Sequence, residues 1–138
     1  MLTAIIFIVL IGILFAISFS LYSMSVQRTT DHYLYNQAQL LARSGVEYAI
    51  LAVGGHDIAA SGNCINNIDL NYNNTYDINI TIYYIGKGLP AGCNILDNTL
   101  KDSEDNGTAI IDVRVSLNPS LLEHNPPITY VRRTIQKL

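Results

Sequence analysis

A long uncharged stretch at the N-terminus constrains this chain more than any other feature of its sequence. No Asp, Glu, Lys, Arg or His occurs before Arg28, and the first 27 residues are rich in Ile, Leu and Phe. As an α-helix, Met1 to Val26 would extend about 39 Å, which exceeds the roughly 30 Å hydrocarbon thickness of a bilayer. The stretch is therefore predicted to be a helix that crosses a membrane or lies in an apolar core made with other helices.

The start of the chain lacks the charges that normally precede such a segment. A secretory signal peptide or a simple membrane anchor carries Lys or Arg ahead of the apolar run, and none precedes this one. We therefore expect that a short basic leader is removed and that Met1 is a processed N-terminus. The alternative, that Met1 is the initiator, is left open by the sequence.

Helix signals continue beyond the apolar segment. Between residues 31 and 53 there is no Pro, and Gly45 is the only Gly before the Gly54-Gly55 pair, which is a typical helix stop. A single helix of about 53 residues is predicted. The chain is divided accordingly into a hydrophobic transmembrane or filament-core helix (1–27), its amphipathic continuation (28–55) and a β-rich head (56–138).

Small residues recur along this helix, and small side chains let another backbone approach closely. Two interpretations are open: a contact between helices of different subunits, or a helix face that packs on the chain's own sheet. The small polar residues of the apolar half favour the first interpretation, because a lone anchor does not need them. We predict an assembly contact made by a small-residue seam, which comprises Gly12, Ala38, Ala42, Gly45, Ala49 and Ala52.

The head is predicted from alternating patterns. Residues 76–85, 109–117 and 128–136 alternate apolar and polar side chains, as half-buried strands do. Three or four antiparallel strands packed on the second half of the helix would give an α+β fold with a long N-terminal helix and a small sheet.

Two cysteines, Cys64 and Cys93, lie in the head at a spacing that fits no metal or redox motif. If the head lies outside the cytoplasm, they most simply form one disulfide. A loop of about 30 residues closed in this way stabilises a small domain by roughly 3 to 4 kcal/mol in the chain-entropy model.

Other chemistry lacks support in the sequence. The net charge of −3 and pI near 5.4 argue against a nucleic-acid partner, and strand alternation would place Arg132 and Arg133 on opposite faces of a solvated strand edge. The acidic run 102–107 has Val113 where a calcium loop requires Glu, so a solvated turn is predicted. No nucleophile, phosphate-loop or dinucleotide motif occurs, and no enzyme activity, cofactor, metal or small-molecule substrate is expected.

The first 53 residues resemble type IV pilins and pseudopilins. The resemblance rests on the opening M-L-T-A-I-I-F-I-V-L-I-G-I-L-F-A-I-S and on Y-N-Q-A-Q-L-L-A-R-S-G-V-E-Y-A-I. The second run is similar to that of minor pilins and tip pseudopilins, Q-A-x-x-x-A-x-x-G-x-E-x-A. The matching residues are Gln37, Ala38, Ala42, Gly45, Glu47 and Ala49.

The resemblance implies cleavage of a leader by a prepilin peptidase, methylation of the new N-terminus, here Met1, and transfer of the helix from the bacterial inner membrane into a growing extracellular fibre. Two positions differ from the family pattern: Met1 stands where Phe is more usual, and Ile5 stands where Glu usually pairs with a neighbouring amine. An uncharged Ile5 favours a tip or minor subunit, or a fibre core held by apolar packing alone.

The function expected from these features is that of a non-enzymatic structural subunit of a type IV pilus-like filament. Its partners would be copies of itself and other pilin subunits, with the inner membrane as its site before assembly, and its head would serve adhesion, motility or secretion. The alternatives are a single-pass membrane-anchored extracytoplasmic binding module, and a minor or tip pseudopilin of a secretion or DNA-uptake system.

Overall fold

A single long helix, α1, spans Leu2–Gly54 in a computed structural model that describes residues 2–99, 107–121 and 127–137. Its 53 residues match the predicted length. The chain divides into two compact units, residues 1–34 and 35–138. The predicted processed end at Met1 lies outside the described residues.

The helix ends where the glycine pair begins. The Gly55 amide donates to the Leu51 carbonyl at 2.9 Å, closing the last turn. A four-residue helix, α2, follows at Ile58–Ser61, and the Asp57 carboxylate caps it by accepting from the Ala60 amide at 3.0 Å. Asp is a favoured N-cap because its oxygen satisfies an amide that has no partner within the helix.

The head is built on one five-stranded sheet. Its order is β1-β2-β4-β5, with every neighbouring pair antiparallel, and short β3 lies parallel to β2. A 3-10 turn at Pro119–Leu121 follows β4. The strands are β1 (Asn67–Tyr72), β2 (Tyr76–Ile85), β3 (Ile95–Asp97), β4 (Thr108–Leu117) and β5 (Thr129–Lys137).

The α+β prediction is confirmed, with five strands where three or four were expected. Strand β2 has the predicted bounds, and β4 and β5 begin and end within one residue of theirs. Strands β1 and β3 were not assigned from the sequence. Strand β1 joins β2 through a tight turn in which Asn73 and Asn74 have φ values of 50° and 54°, a left-handed conformation that Asn tolerates.

One face of the sheet forms the core with the second half of α1. Alternate residues of β2 and β4 are buried on this face, and α1 contributes small and β-branched side chains. The buried set is Ala38, Ala42, Val46, Ala49 and Val53 of α1, Tyr76, Ile78, Ile80, Ile82 and Tyr84 of β2, and Ala109, Ile111, Val113, Val115 and Leu117 of β4.

The predicted disulfide between Cys64 and Cys93 is present, with their Cα atoms 5.0 Å apart. The Asn66 side chain reinforces this connection by donating to the Gly92 carbonyl at 2.7 Å and accepting from the Asn94 amide at 2.9 Å. The disulfide and these hydrogen bonds together hold the segment before β1 beside the segment before β3.

Candidate assembly surface

The apolar half of α1 is uncovered along its whole described length. Every described side chain from residue 3 to 30 is exposed, and the large apolar ones range from 46% exposed at Val26 to 76% at Phe19. An 18-residue window of the helix reaches a mean hydropathy of 2.9. One N-terminal helix is thus long and apolar enough to span a membrane, although by length and composition alone.

Hydroxyl groups in and just after this half bond back to their own helix. Ser18 Oγ donates to the Leu14 carbonyl at 2.8 Å, and Thr29 Oγ1 donates to the Ser25 carbonyl at 2.9 Å. A hydroxyl proton satisfied within the helix lowers the cost of placing the residue in an apolar surrounding. These residues are therefore compatible with lipid or with the apolar face of another helix.

Gly12 lies in the middle of the apolar half. A Cβ added there would meet no atom within 4 Å. No contact within the described part of the chain therefore requires Gly at this position. The predicted role of Gly12 in contacts between helices remains a prediction.

The structure places the rest of the small-residue seam against the chain's own sheet. Ala38, Ala42 and Ala49 are 0% exposed, and a Cβ added at Gly45 would lie 3.1 Å from Val113 Cγ1. These four residues are used within the monomer, because small side chains let α1 approach β2 and β4 closely. The intramolecular interpretation therefore replaces the assembly role predicted for them, and Ala52 is only half-buried at the end of the same row.

The opposite face of α1 carries large apolar side chains into solvent within the head unit. Leu40, Tyr48 and Leu51 are 63%, 50% and 75% exposed. These three residues form an exposed apolar row on the part of α1 that belongs to the head unit.

The second face of the sheet carries polar and charged side chains together with the exposed apolar residues Val131 and Ile135. The Arg133 guanidinium forms two hydrogen bonds with the Asp112 carboxylate, at 2.6 and 2.5 Å, and these bonds hold the pKa of Asp112 below its usual range. On the same face, in strands β1 and β2, Asn79 donates to Asp69, and Asn71 donates to Asp77 at 2.7 Å.

Charges on the sheet are separated by strand. Strands β1 and β2 contain two carboxylates, Asp69 and Asp77, and no cation. Strands β4 and β5 contain one carboxylate and four cations, which are Arg114, Arg132, Arg133 and Lys137. The sheet therefore has an acidic edge at β1 and a basic edge at β5.

The head unit contains a small cavity lined mainly by apolar residues. This cavity of about 120 Å³ lies between the end of α1 and the sheet, and its walls include Ile50, Val53, Ala109 and Ile111. No group of three or more His, Cys, Asp or Glu that could hold a metal occurs in the part of the chain that the structure describes. The acidic turn predicted at 102–107 lies outside the described residues, apart from Gly107.

Comparison with known proteins adds no assignment. No protein-family model, curated protein or solved structure matches this chain.

Proposed function

We propose that this chain is a structural subunit of a type IV pilus-like filament, held together by packing between the apolar N-terminal halves of its helices. The observation that carries the proposal is the uncovered apolar surface of α1, in which every described side chain from residue 3 to 30 is exposed. The head would then be displayed outside the polymer core.

The physical support is the cost of that surface in water. Each square ångström of apolar surface removed from water contributes about 25 cal/mol, so a whole helix half left bare would favour aggregation strongly. Lipid covers such a surface before assembly, and neighbouring helices cover it in a polymer. The helix can exchange one for the other more easily because the hydroxyl groups of Ser18 and Thr29 bond back to its own backbone.

Two further features fit a subunit displayed outside the cytoplasm. The disulfide between Cys64 and Cys93 belongs to an oxidising compartment. The tight packing of α1 on β2 and β4 fixes the head to the helix that would carry it into the polymer. Filament membership, processing at Met1 and an extracellular location are parts of this proposal.

The test is Gly12→Leu in the full chain. The substitution adds apolar surface, so membrane insertion should be kept, and a Cβ added at Gly12 meets no neighbouring atom within 4 Å. If helices of neighbouring subunits approach closely at Gly12, the yield of sheared surface fibres should fall several-fold. The chain should instead accumulate in the membrane fraction, as measured by immunoblot of both fractions and by electron microscopy.

Ile13→Leu is the matched control, because it conserves volume at an adjacent position and should leave the fibre yield unchanged. Normal fibres from Gly12→Leu would remove Gly12 from the interface. If the native chain stays monomeric in the membrane and no fibre contains it, the filament proposal fails. The single-pass anchored binding module then accounts for the same helix.

A further inference from the structure

We infer that the heads of neighbouring copies join their sheets edge to edge, with β5 of one copy pairing with β1 of the next. The inference rests on the proposed function, because it describes how subunits carried by parallel helices would meet outside the apolar core. It also adds a surface that packing of α1 does not involve.

Both outer strands have an unpaired edge among the described residues. Strand β1 pairs only with β2, and β5 pairs only with β4. An unpaired edge presents a row of amide and carbonyl groups that can accept another strand. Strand β5 is nine residues long and exposes Val131 and Ile135, which are 62% and 67% accessible.

Strand direction makes the two edges compatible. Neighbours along β1-β2-β4-β5 are all antiparallel, so β1 and β5 run in opposite directions. A second copy in the same orientation therefore brings its β1 antiparallel to β5. Strand direction then keeps alternating from one copy into the next. Helices inserted from one membrane share one orientation, as this arrangement requires.

Charge selects β1 as the partner of β5. Strand β5 carries Arg132, Arg133 and Lys137, so pairing two β5 strands would bring like charges together. The β1 edge carries Asp69 and no cation.

The rows of the sheet give a register for the contact. Asn71, Asp77, Ser116 and Thr129 form one row, and Asp69, Asn79, Arg114 and Val131 form the next. When these rows continue into a second copy, the neighbouring copy's Asn71 lies beside Thr129. The neighbouring copy's Asp69 lies beside Val131 and diagonal to Arg133, within reach of its long side chain.

The test is disulfide crosslinking between two full-length chains that share one membrane. One chain carries Asn71→Cys and the other carries Thr129→Cys, both at exposed positions that leave every charge in place. We expect a crosslinked dimer after mild oxidation, detected on a non-reducing gel. Asp69→Lys in the Asn71→Cys chain should reduce the yield several-fold.

Ser116→Cys is the matched control for Thr129→Cys, since Ser116 lies in the same row but one strand inside the edge. A dimer of equal yield with Ser116→Cys would overturn the inference. So would a dimer that each single-cysteine chain forms with itself, because that result indicates pairing of like edges.

The two proposals fail differently. Fibres without the Asn71–Thr129 crosslink overturn the edge contact and leave the filament in place. The crosslink in membranes that yield no fibre supports the edge contact and removes the filament. If neither forms, both proposals are wrong, and the cations of β5 serve only to keep the edge soluble.

Discussion

At the scale of the residue, the size of a few side chains decides how α1 meets the sheet. Gly45 faces Val113, Ile78 and Ile80, and a Cβ at this position would approach all three within 3.7 Å. Ala42 and Ala49, on the neighbouring turns of the same face, are 0% exposed. Close-packed interiors of this kind accept added volume poorly.

Gly45→Leu is therefore expected to destabilise the head. Overpacking of a filled core costs about 1 to 3 kcal/mol, and replacing Gly within a helix recovers up to about 1 kcal/mol, so a net loss of up to about 2 kcal/mol is expected. The free energy of unfolding of the detergent-solubilised full chain, followed by tyrosine fluorescence in a denaturant titration, measures the loss. Gly12→Leu is the control, and equal unfolding curves for both variants would contradict the packing described here.

The predicted seam shows what residue spacing leaves undecided. Ala38, Ala42 and Ala49 recur at helical spacing, and that spacing correctly places them on one buried face. Spacing does not reveal whether the covering surface is a second helix or a sheet of the same chain, because both require small residues for close approach. The surface that covers these residues is formed by the apolar rows of β2 and β4, which are distant from the helix in sequence.

At the scale of the element, strong local patterns were predicted and short ones were missed. Strand β2 alternates over ten residues and was placed with its bounds. Strand β1 has its own alternation at Ile68 and Leu70, and the Asn73-Asn74 pair after it was the signal that could have revealed the hairpin. Strand β3 has three residues, and it lies beside β2 through the disulfide and Asn66, which are not local signals.

Reducing the disulfide should weaken this part of the head first. A 29-residue separation between Cys64 and Cys93 corresponds to roughly 3 to 4 kcal/mol of stabilisation in the chain-entropy model. A double Cys64→Ala, Cys93→Ala variant should lose that free energy in a denaturant titration, and amides of β3 should exchange with deuterium earlier than those of β4. Unchanged stability in the variant would show that the hydrogen bonds of Asn66 suffice.

At the scale of the whole molecule, the two compact units have different requirements for solvent. Residues 35–138 bury a core of their own, whereas the described side chains of residues 3–30 are all exposed. The uncharged N-terminal sequence has no amphipathic pattern that would bury it on a head. The predicted bounds 1–27, 28–55 and 56–138 differ from these two units and stay a prediction. The edges and charge separation of the sheet depend on strand order, which the sequence did not reveal.

The solvent requirement of the first unit gives a prediction for the full chain. Leu10→Asp with Leu14→Asp should impair membrane integration, because each acidic side chain at the centre of a spanning helix costs about 2.5 to 3.5 kcal/mol. The fraction of chain that resists alkaline extraction from membranes measures the effect. The control is Gln27→Asp with Thr30→Asp, at the polar end of the segment, which should leave that fraction unchanged. Equal resistance to extraction in the two double variants would contradict a membrane-spanning role.

The link between Cys64 and Cys93 also bears on a chain that is stretched between its ends. Residues enclosed by the bond carry no tension, so they add nothing to the length that an unravelled head can reach. At a maximum of about 3.5 Å per residue, the 29-residue separation shortens the fully extended chain by roughly 100 Å. Under load, an unfolding head would therefore lengthen by less than its number of residues implies, because β1, β2 and the segment before β3 stay inside the closed loop.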